Sequence, residues 1–179
     1  MALLTPEQVD GRTIVQAAFV VDDVERAAHY WAETFGAGPF FLYDKVPLLD
    51  VRDATGAPAV LEQAAAFGQW GHVMVELVQP QRADPGLLTE TMTRPGPNHI
   101  AYFAADTAAE VKRLEASGAP VIASLDFGGV RVHFHDARAT AGFVIEHYPC
   151  IDAVKATYEA VAQAAEGWDG SDPVRGPLG

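Results

Sequence analysis

The chain carries an internal repeat, and this repeat limits the folds that it can adopt. The segment 16–23 (QAAFVVDD) has the same order of apolar and acidic residues as the segment 99–106 (HIAYFAAD), and each leads into a helical pattern that closes at Gly36 or Gly118. A strand followed by a helix and further strands is therefore predicted twice. Because half of a 179-residue chain is short for a core of its own, we expect both units to pack into one body.

Apolar patterns along the chain predict an α+β protein built from two tandem βαβββ modules. Alternating or β-branched runs predict the strands, Asp22 or Asp23 predicts the start of the first helix, and a capping box of Thr107 and Glu110 predicts the start of the second. The predicted organisation is a first module at 13–80, a second module at 97–149, a C-terminal helix at 150–166 and a loosely held tail at 167–179.

Four polar residues interrupt otherwise apolar strand faces at equivalent places of the two halves. They are Gln16 and His99 in the first strand of each unit, and Glu76 and Glu146 in the last strand. Two buried carboxylates that face each other need a cation or shared protons, because an unpaired buried charge is costly. An imidazole, an amide oxygen and two carboxylates suit Zn²⁺, Ni²⁺, Co²⁺, Mn²⁺ or Fe²⁺. The sequence therefore predicts one divalent metal site formed by both halves.

Charge and composition narrow the range of partners. The formal net charge of −12 argues against nucleic acids and anionic membrane surfaces, whereas it leaves an anionic small substrate open. The first residues lack the basic and apolar regions of a secretory signal, and no stretch has the length and apolar purity of a membrane span. The single cysteine, Cys150, permits no internal disulfide, and a cytoplasmic location is expected.

The chain resembles the vicinal oxygen chelate superfamily, which includes glyoxalase I, methylmalonyl-CoA epimerase, extradiol dioxygenases and bleomycin-resistance proteins. The resemblance covers residues 14–149, and the segments that carry it are 16–23, Val75-Glu76-Leu77, Pro97-Asn98-His99-Ile100-Ala101 and Val144-Ile145-Glu146. It implies a glyoxalase-like fold in which paired βαβββ modules form a metal-centred cleft. The metal would be held by the four polar residues named above.

The order of the ligands separates the branches of this superfamily. Glyoxalase I enzymes use Gln or His, then Glu, His and Glu, which is the order found here. Extradiol dioxygenases bind iron with two His and one Glu, normally with His in the place of Gln16, and bleomycin-resistance binders usually lack the metal set. Glutathione recognition is not evident, because Pro80 stands where a glutathione-contacting Asn would follow Glu76. The segments 76–80 and 95–99 look closer to the epimerase branch.

By similarity, the expected function is an isomerase, epimerase or lyase that transfers a proton next to the metal-polarised carbonyl of a small metabolite. Glu146 is the expected general base and Glu76 its counterpart. An Fe(II)-dependent ring-cleaving dioxygenase and a metal-free binding or resistance protein remain alternatives. Family members commonly pair, so a homodimer is expected, with the helix 151–166 as a dimer contact or as a cover for the sheet.

Five further residues are candidates for binding substrate or supporting the site. His133 and His135 share one face of a strand that could point into the cleft, with pairing to Asp136 or exposure to solvent as the alternatives. His72 is expected near the mouth of the cleft. Phe103 and Tyr148 could line an aromatic pocket, although core packing explains them equally well.

Overall fold

The structure is a computed structural model that describes residues 12–178, apart from the side chain of Leu87. Predictions about the first eleven residues and Gly179 lie outside the described residues. The strands are β1 (Gln16–Val20), β2 (Phe40–Tyr43), β3 (Leu49–Asp53), β4 (Val60–Trp70), β5 (Val73–Asp84), β6 (Gly96–Ala104), β7 (Val121–Phe127), β8 (Val130–Asp136), β9 (Val144–Pro149) and β10 (Val174–Arg175). The helices are α1 (Val24–Phe35), α2 (Gly86–Met92), α3 (Thr107–Ala116), α4 (Arg138–Ala141) and α5 (Asp152–Ala165).

These strands hydrogen-bond into one mixed sheet in the order β10-β2-β4-β5-β1-β6-β9-β8-β7-β3. In each half the first strand pairs in parallel with the last strand, β1 with β5 and β6 with β9. The antiparallel pair of β1 and β6 joins the two halves at the centre of the sheet. The predicted α+β fold with two tandem βαβββ modules is therefore confirmed.

Strand β3 leaves its own module and crosses to the other one. It lies between β2 and β4 in sequence, yet it pairs antiparallel with β7 at the far end of the sheet. Hydrogen bonds from Val46 N to the Gln63 carbonyl and from Ala59 N to the Val51 carbonyl, both 2.9 Å, tie this crossing segment to its surroundings. The connection requires the sheet to curve until its two ends approach each other, which creates a concave inner face.

Helices cover both faces of the curved sheet. Val24 of α1 packs with Leu77 of β5 in an outer apolar cluster, and Leu114 of α3 lies in a second outer cluster. Helix α5 packs instead in the inner core, where its Tyr158 ring lies 5.3 Å from the ring of Phe103. The C-terminal helix therefore covers the inner face of the sheet. None of the described helices is long and apolar enough to cross a membrane.

The start of the first helix follows the prediction and the start of α3 does not. Asp23 caps α1 with its side chain. At α3 the predicted capping box is wrong, because Asp106 is the cap and accepts a hydrogen bond from Ala109 N at 2.9 Å. Thr107 is then the first helical residue, and the Glu110 carboxylate is free to form ion pairs with arginine side chains. The free backbone amides at the start of α3 are therefore capped by Asp106, which lies one residue before the predicted cap.

The segment after α5 is held by pairing and packing, so the prediction of a loosely held tail is wrong. Strand β10 pairs in parallel with β2 at the edge of the first module. Trp168 packs against Gly38, where an added Cβ would lie 3.0 Å from the indole. The Trp168 Nε1 donates a hydrogen bond to the Ser171 carbonyl at 2.6 Å. One aromatic anchor and a two-residue strand are too short to give a periodic signal in the sequence.

Candidate metal centre

The register of the sheet directs the four predicted ligands to one part of the inner face. Across the paired strands β1 and β5, Glu76 lies opposite the residue that is two positions after Gln16. Across β6 and β9, Glu146 lies in the same way opposite the residue that is two positions after His99. Residues two positions apart on a strand share a face. The antiparallel pairing of β1 with β6 then brings the two equivalent sets together at the junction of the halves.

Glu76, His99 and Glu146 form a compact group of buried side chains, called here the triad. Their side chains are 7%, 3% and 6% exposed, respectively. His99 Nε2 lies 3.3 Å from Glu76 Oε2 and 3.1 Å from Glu146 Oε2. One donor atom from each residue lies within 4.8 Å of the others. The triad could hold a metal ion, since one imidazole and two carboxylates are donors that divalent transition metals accept.

Asn98 fixes the orientation of the His99 ring. Asn98 Oδ1 lies 2.9 Å from His99 Nδ1, and Asn98 Nδ2 donates a hydrogen bond to the Thr91 carbonyl at 2.7 Å. Because a carbonyl can only accept, the amide nitrogen must face Thr91 and the amide oxygen must face His99. In the neutral imidazole the proton therefore sits on Nδ1, and Nε2 presents its lone pair to the two carboxylates.

Burial and mutual charge set the electrostatics of the triad. Burial lowers the pKa of His99, and the charges of Glu146 and Glu76 together with their hydrogen bonds outweigh this effect and raise it to about 10. Burial raises the pKa of Glu76 above its usual range. Two facing carboxylates in a buried place require a positive charge between them, on the imidazole or on a bound cation.

The side chains of the triad fit a divalent cation. His99 Nε2 is buried and faces two carboxylate oxygens, Glu146 Oε2 at 3.1 Å and Glu76 Oε2 at 3.3 Å. A metal ion between the three donors would use that nitrogen as a ligand and would compensate both carboxylates. The set contains one imidazole, whereas the Fe(II) oxygenase set typically contains two imidazoles and one carboxylate. The triad therefore differs from that set by a carboxylate in the place of one imidazole.

Tyr148 links Gln16 to the triad. The Tyr148 hydroxyl donates to Glu146 Oε2 at 2.7 Å, and it also lies 3.3 Å from Gln16 Oε1. Burial and the neighbouring Glu146 charge raise the pKa of Tyr148 well above its ordinary value, so the hydroxyl keeps its proton. Gln16 is 1% exposed and lies next to the triad, and its direct ligation of a metal stays a prediction.

Two cavities meet beside the triad. The smaller cavity, of about 30 Å³, is lined by the triad together with Gln63 and Phe134. The larger cavity, of about 230 Å³, lies between the inner face of the sheet and α5 and is lined by Gln16 and Tyr158 among others. The side chains that line both cavities are Val46, Phe67, Phe127 and Tyr148.

The structure does not bring the other three predicted histidines into the site. Phe134, which lies between His133 and His135 on β8, faces the inner core, so both histidines point to the outer face. There the ring of His133 lies 5.2 Å from that of His147, and His135 Nε2 lies 3.2 Å from His147 Nε2. His72 occupies the exposed turn between β4 and β5.

The two aromatic candidates have different places. Tyr148 lines both cavities and contacts the triad, as described above. Phe103 is 1% exposed and packs in the inner core, with its ring 6.1 Å from that of Tyr148 and 5.3 Å from that of Tyr158. Phe103 therefore supports Tyr148 from behind rather than lining the two cavities.

Sequence reasoning missed three residues of the site, which are Asn98, Gln63 and Tyr158. Neighbours on a strand normally point to opposite faces, so nothing in the sequence indicated that the Asn98 amide reaches back to His99. The Gln63 Oε1 is buried and has no hydrogen-bond partner among the described residues, and the Tyr158 side chain is buried against that of Tyr148. Both belong to elements that were predicted, but the sequence did not show which of their faces would meet the triad.

Comparison with known proteins bears on this geometry. A family model described as the Glyoxalase/Bleomycin resistance protein/Dioxygenase superfamily matches residues 15–140. This range contains β1 and β6, the strands that join the two halves of the sheet, and two of the three triad residues, Glu76 and His99. No curated protein matches the chain in sequence.

Solved structures share the fold at low sequence identity. A hypothetical protein, BH1468 from Bacillus halodurans C-125, is 15% identical, with 78% of this chain and 94% of that chain covered and a TM-score of 0.52. A methylmalonyl-CoA epimerase from Mycobacterium tuberculosis is also 15% identical, with 82% of this chain and 94% of that chain covered and a TM-score of 0.52. At this identity the likeness shows a common fold.

Proposed function

The chain belongs to the glyoxalase/bleomycin resistance protein/dioxygenase superfamily, and from this premise we propose that it is a divalent-metal-dependent isomerase, epimerase or lyase. Its substrate would be a small carbonyl-bearing metabolite, and its reaction would transfer a proton at the carbon next to the carbonyl. The observation that carries this proposal is the buried convergence of Glu76, His99 and Glu146.

The chemistry of the triad suits removal of such a proton. A divalent ion bound there would polarise the carbonyl and stabilise the negative charge that develops as the proton leaves. Glu146 is the general base in this proposal, and the Tyr148 hydroxyl orients its carboxylate by donating to Oε2 at 2.7 Å. Glu76 comes from the other half of the molecule, so the two carboxylates can exchange protons with different sides of a substrate.

The donor set is the reason to prefer this function over the two alternatives. A ring-cleaving Fe(II) dioxygenase would be expected to present two imidazoles and one carboxylate. In a metal-free binding protein, a charged imidazole would balance only one of the two buried carboxylates, and the other would have to keep a proton. We therefore propose Zn²⁺, Ni²⁺, Co²⁺ or Mn²⁺ as the resident metal. The homodimer, the cytoplasmic location and the lack of nucleic-acid or membrane partners remain predictions from the sequence.

Exchange of the α-proton with solvent tests the proposed reaction. The protein, loaded with each of the four metals, is incubated with α-hydroxy and α-keto carbonyl compounds in D₂O, and deuterium incorporation is followed by NMR. We expect metal-dependent exchange with at least one compound and a loss of about 100-fold or more in Glu146→Gln, because a positioned base contributes on that scale. The metal content of the variant is measured in parallel, since Glu146 is also a proposed ligand.

Two results would overturn this proposal. Undiminished exchange in metal-loaded Glu146→Gln would show that another group is the base. Oxygen consumption with Fe²⁺ and an aromatic diol, without any proton exchange, would assign the protein to the dioxygenases instead.

A further inference from the structure

Outside the triad, the described residues that line the two cavities offer no counter-charge for an anionic substrate. No lysine or arginine is among the described residues that line them. Two lysines are sequence neighbours of residues that line the cavities, and both already form ion pairs with carboxylates. Lys45 Nζ lies 2.9 Å from Glu62 Oε1, and Lys155 Nζ lies 2.7 Å from Asp152 Oδ1. A divalent ion held by the triad would have its charge balanced by the two buried carboxylates, so the site would offer little net positive charge to a phosphate or carboxylate group.

The larger cavity has the size and the lining for one aromatic ring. Its volume is about 230 Å³, and aromatic side chains that include Tyr43, Phe67, Phe127 and Tyr148 contribute to its wall. An apolar protein cavity of about 150 Å³ is known to take up benzene. The larger cavity therefore has room for a six-membered ring with a small substituent, and its aromatic wall allows edge-to-face packing.

The smaller cavity and one unpartnered polar atom indicate where the polar part of a substrate would lie. The smaller cavity has about 30 Å³, which is enough for a carbonyl and one neighbouring group beside the triad. Gln63 lines this cavity and Tyr158 lines the larger one, and Gln63 Oε1 is buried without a hydrogen-bond partner among the described residues. A buried polar group left in this state costs about 1–3 kcal/mol, which a bound donor or acceptor would remove.

We propose that the site takes a neutral, single-ring aromatic carbonyl compound with a hydroxyl next to the carbonyl, and that it does not take a CoA thioester. The inference rests on the function proposed above and names the substrate class for it. The ring lies in the larger cavity under α5, and the carbonyl reaches past Tyr148 toward the triad. The substrate hydroxyl donates a hydrogen bond to Gln63 Oε1, which can only accept.

Binding of 2-hydroxyacetophenone to the metal-loaded protein, compared with methylmalonyl-CoA, tests this inference by calorimetry. Two variants on the same helix form a matched pair. Ala153 is exposed and lines the larger cavity, whereas Ala156 is exposed and lines neither cavity. We expect Ala153→Trp to weaken binding of the aromatic probe by about tenfold or more, while Ala156→Trp changes the Kd by less than about twofold.

A second variant tests the hydrogen bond to Gln63. Gln63→Leu is expected to weaken binding of 2-hydroxyacetophenone, but to leave unchanged the binding of acetophenone, which has the same ring and carbonyl without the hydroxyl. An equal effect on both ligands would overturn the assigned contact.

The outcomes separate this inference from the proposed function. Tighter binding of methylmalonyl-CoA than of 2-hydroxyacetophenone, or unchanged aromatic binding in Ala153→Trp, would overturn the substrate class. Aromatic binding that follows the predicted pattern supports the substrate class, even if no proton exchange is seen with any compound. The absence of proton exchange would contradict the isomerase or lyase proposal, and it would leave the proposed substrate class standing.

Discussion

Asn98 determines which nitrogen of His99 faces the two carboxylates, because its amide is locked between His99 Nδ1 and the Thr91 carbonyl. Residues that orient a metal-bound histidine in this way typically contribute 10–100-fold to metal affinity. We therefore expect Asn98→Ala to weaken Zn²⁺ binding by about 10–100-fold, measured by competition with a chromophoric chelator. The fold should be retained, since the triad residues themselves are unchanged.

Asn98→Asp provides the matched control. An aspartate keeps an acceptor oxygen for His99 Nδ1–H, so its Zn²⁺ affinity should stay closer to that of the wild type than the affinity of Asn98→Ala. Wild-type affinity in Asn98→Ala would show that the hydrogen bond to His99 has no part in metal binding.

Single residues of the site differ in how far the sequence could predict them. Gln16, Glu76, His99 and Glu146 were found because the repeat places them at equivalent positions, and the structure brings three of them together as a triad. The contributions of Asn98 and Gln63 depend on side-chain directions and on contacts between distant segments. A strand pattern does not contain that information.

Glu110 on α3 is the acidic centre of an ion-pair cluster away from the triad. It accepts hydrogen bonds from Arg113, from Arg12 and from the Tyr102 hydroxyl, and its own side chain is only 7% exposed. The hydrogen bond from Arg113, with that from Arg12, holds the pKa of Glu110 well below its usual range in spite of burial. The cluster ties α3 to the strand that carries His99.

Glu110→Gln should destabilise the protein by about 2 kcal/mol at pH 7, since the arginine partners are partly exposed and the pairing is partly screened. A carboxylate whose pKa is lower in the folded than in the unfolded chain contributes its full stability above the unfolded value, near pH 4.5. That contribution is lost as the pH falls further, so the two proteins should converge in stability in acid. Urea unfolding between pH 7 and pH 3 measures this.

Glu115→Gln on the exposed side of the same helix is the control for the removal of one negative charge. It should change the free energy of unfolding by less than about 0.5 kcal/mol at every pH. A constant difference between wild type and Glu110→Gln from pH 7 to pH 3 would contradict the ion-pair explanation.

Gly68 in β4 is required by the close approach of a buried ring. A Cβ at this position would lie 2.6 Å from the ring of Phe40, which is fully buried. Gly68→Ala should therefore lower the free energy of unfolding by about 1–3 kcal/mol, as measured by urea denaturation. In the double variant with Phe40→Leu the two effects should not add, because the smaller side chain makes room. Full additivity would contradict the steric explanation.

The elements show which parts of the fold the sequence could predict. Helix α1 was predicted to start after Asp22 or Asp23 and to close at Gly36, as observed, because capping residues are local signals. His133 and His135 were correctly placed on one face of a strand, but that face is the outer one, since alternation does not tell which side is inward. The crossing of β3 to β7 depends on contacts distant in sequence.

The whole molecule explains why the triad requires both halves. Glu76 comes from the first module, while His99 and Glu146 come from the second, and the pairing of β1 with β6 brings them together. Helix α5 then closes the inner face over the larger cavity. The repeat predicted this two-module plan. The position of α5 depends on the shape of the curved sheet, which the sequence did not reveal.

Metal content tests the central claim that the triad holds one divalent metal. The wild type, His99→Ala and Glu146→Ala are purified without added metal or chelator and analysed by elemental analysis, with Glu115→Gln as a control away from the site. We predict about one equivalent of Zn, Ni, Co or Mn per chain in the wild type and in Glu115→Gln, and its loss in both triad variants. Folded triad variants that keep the same metal content as the wild type, or a wild type that binds no metal even when it is supplied, would contradict the account.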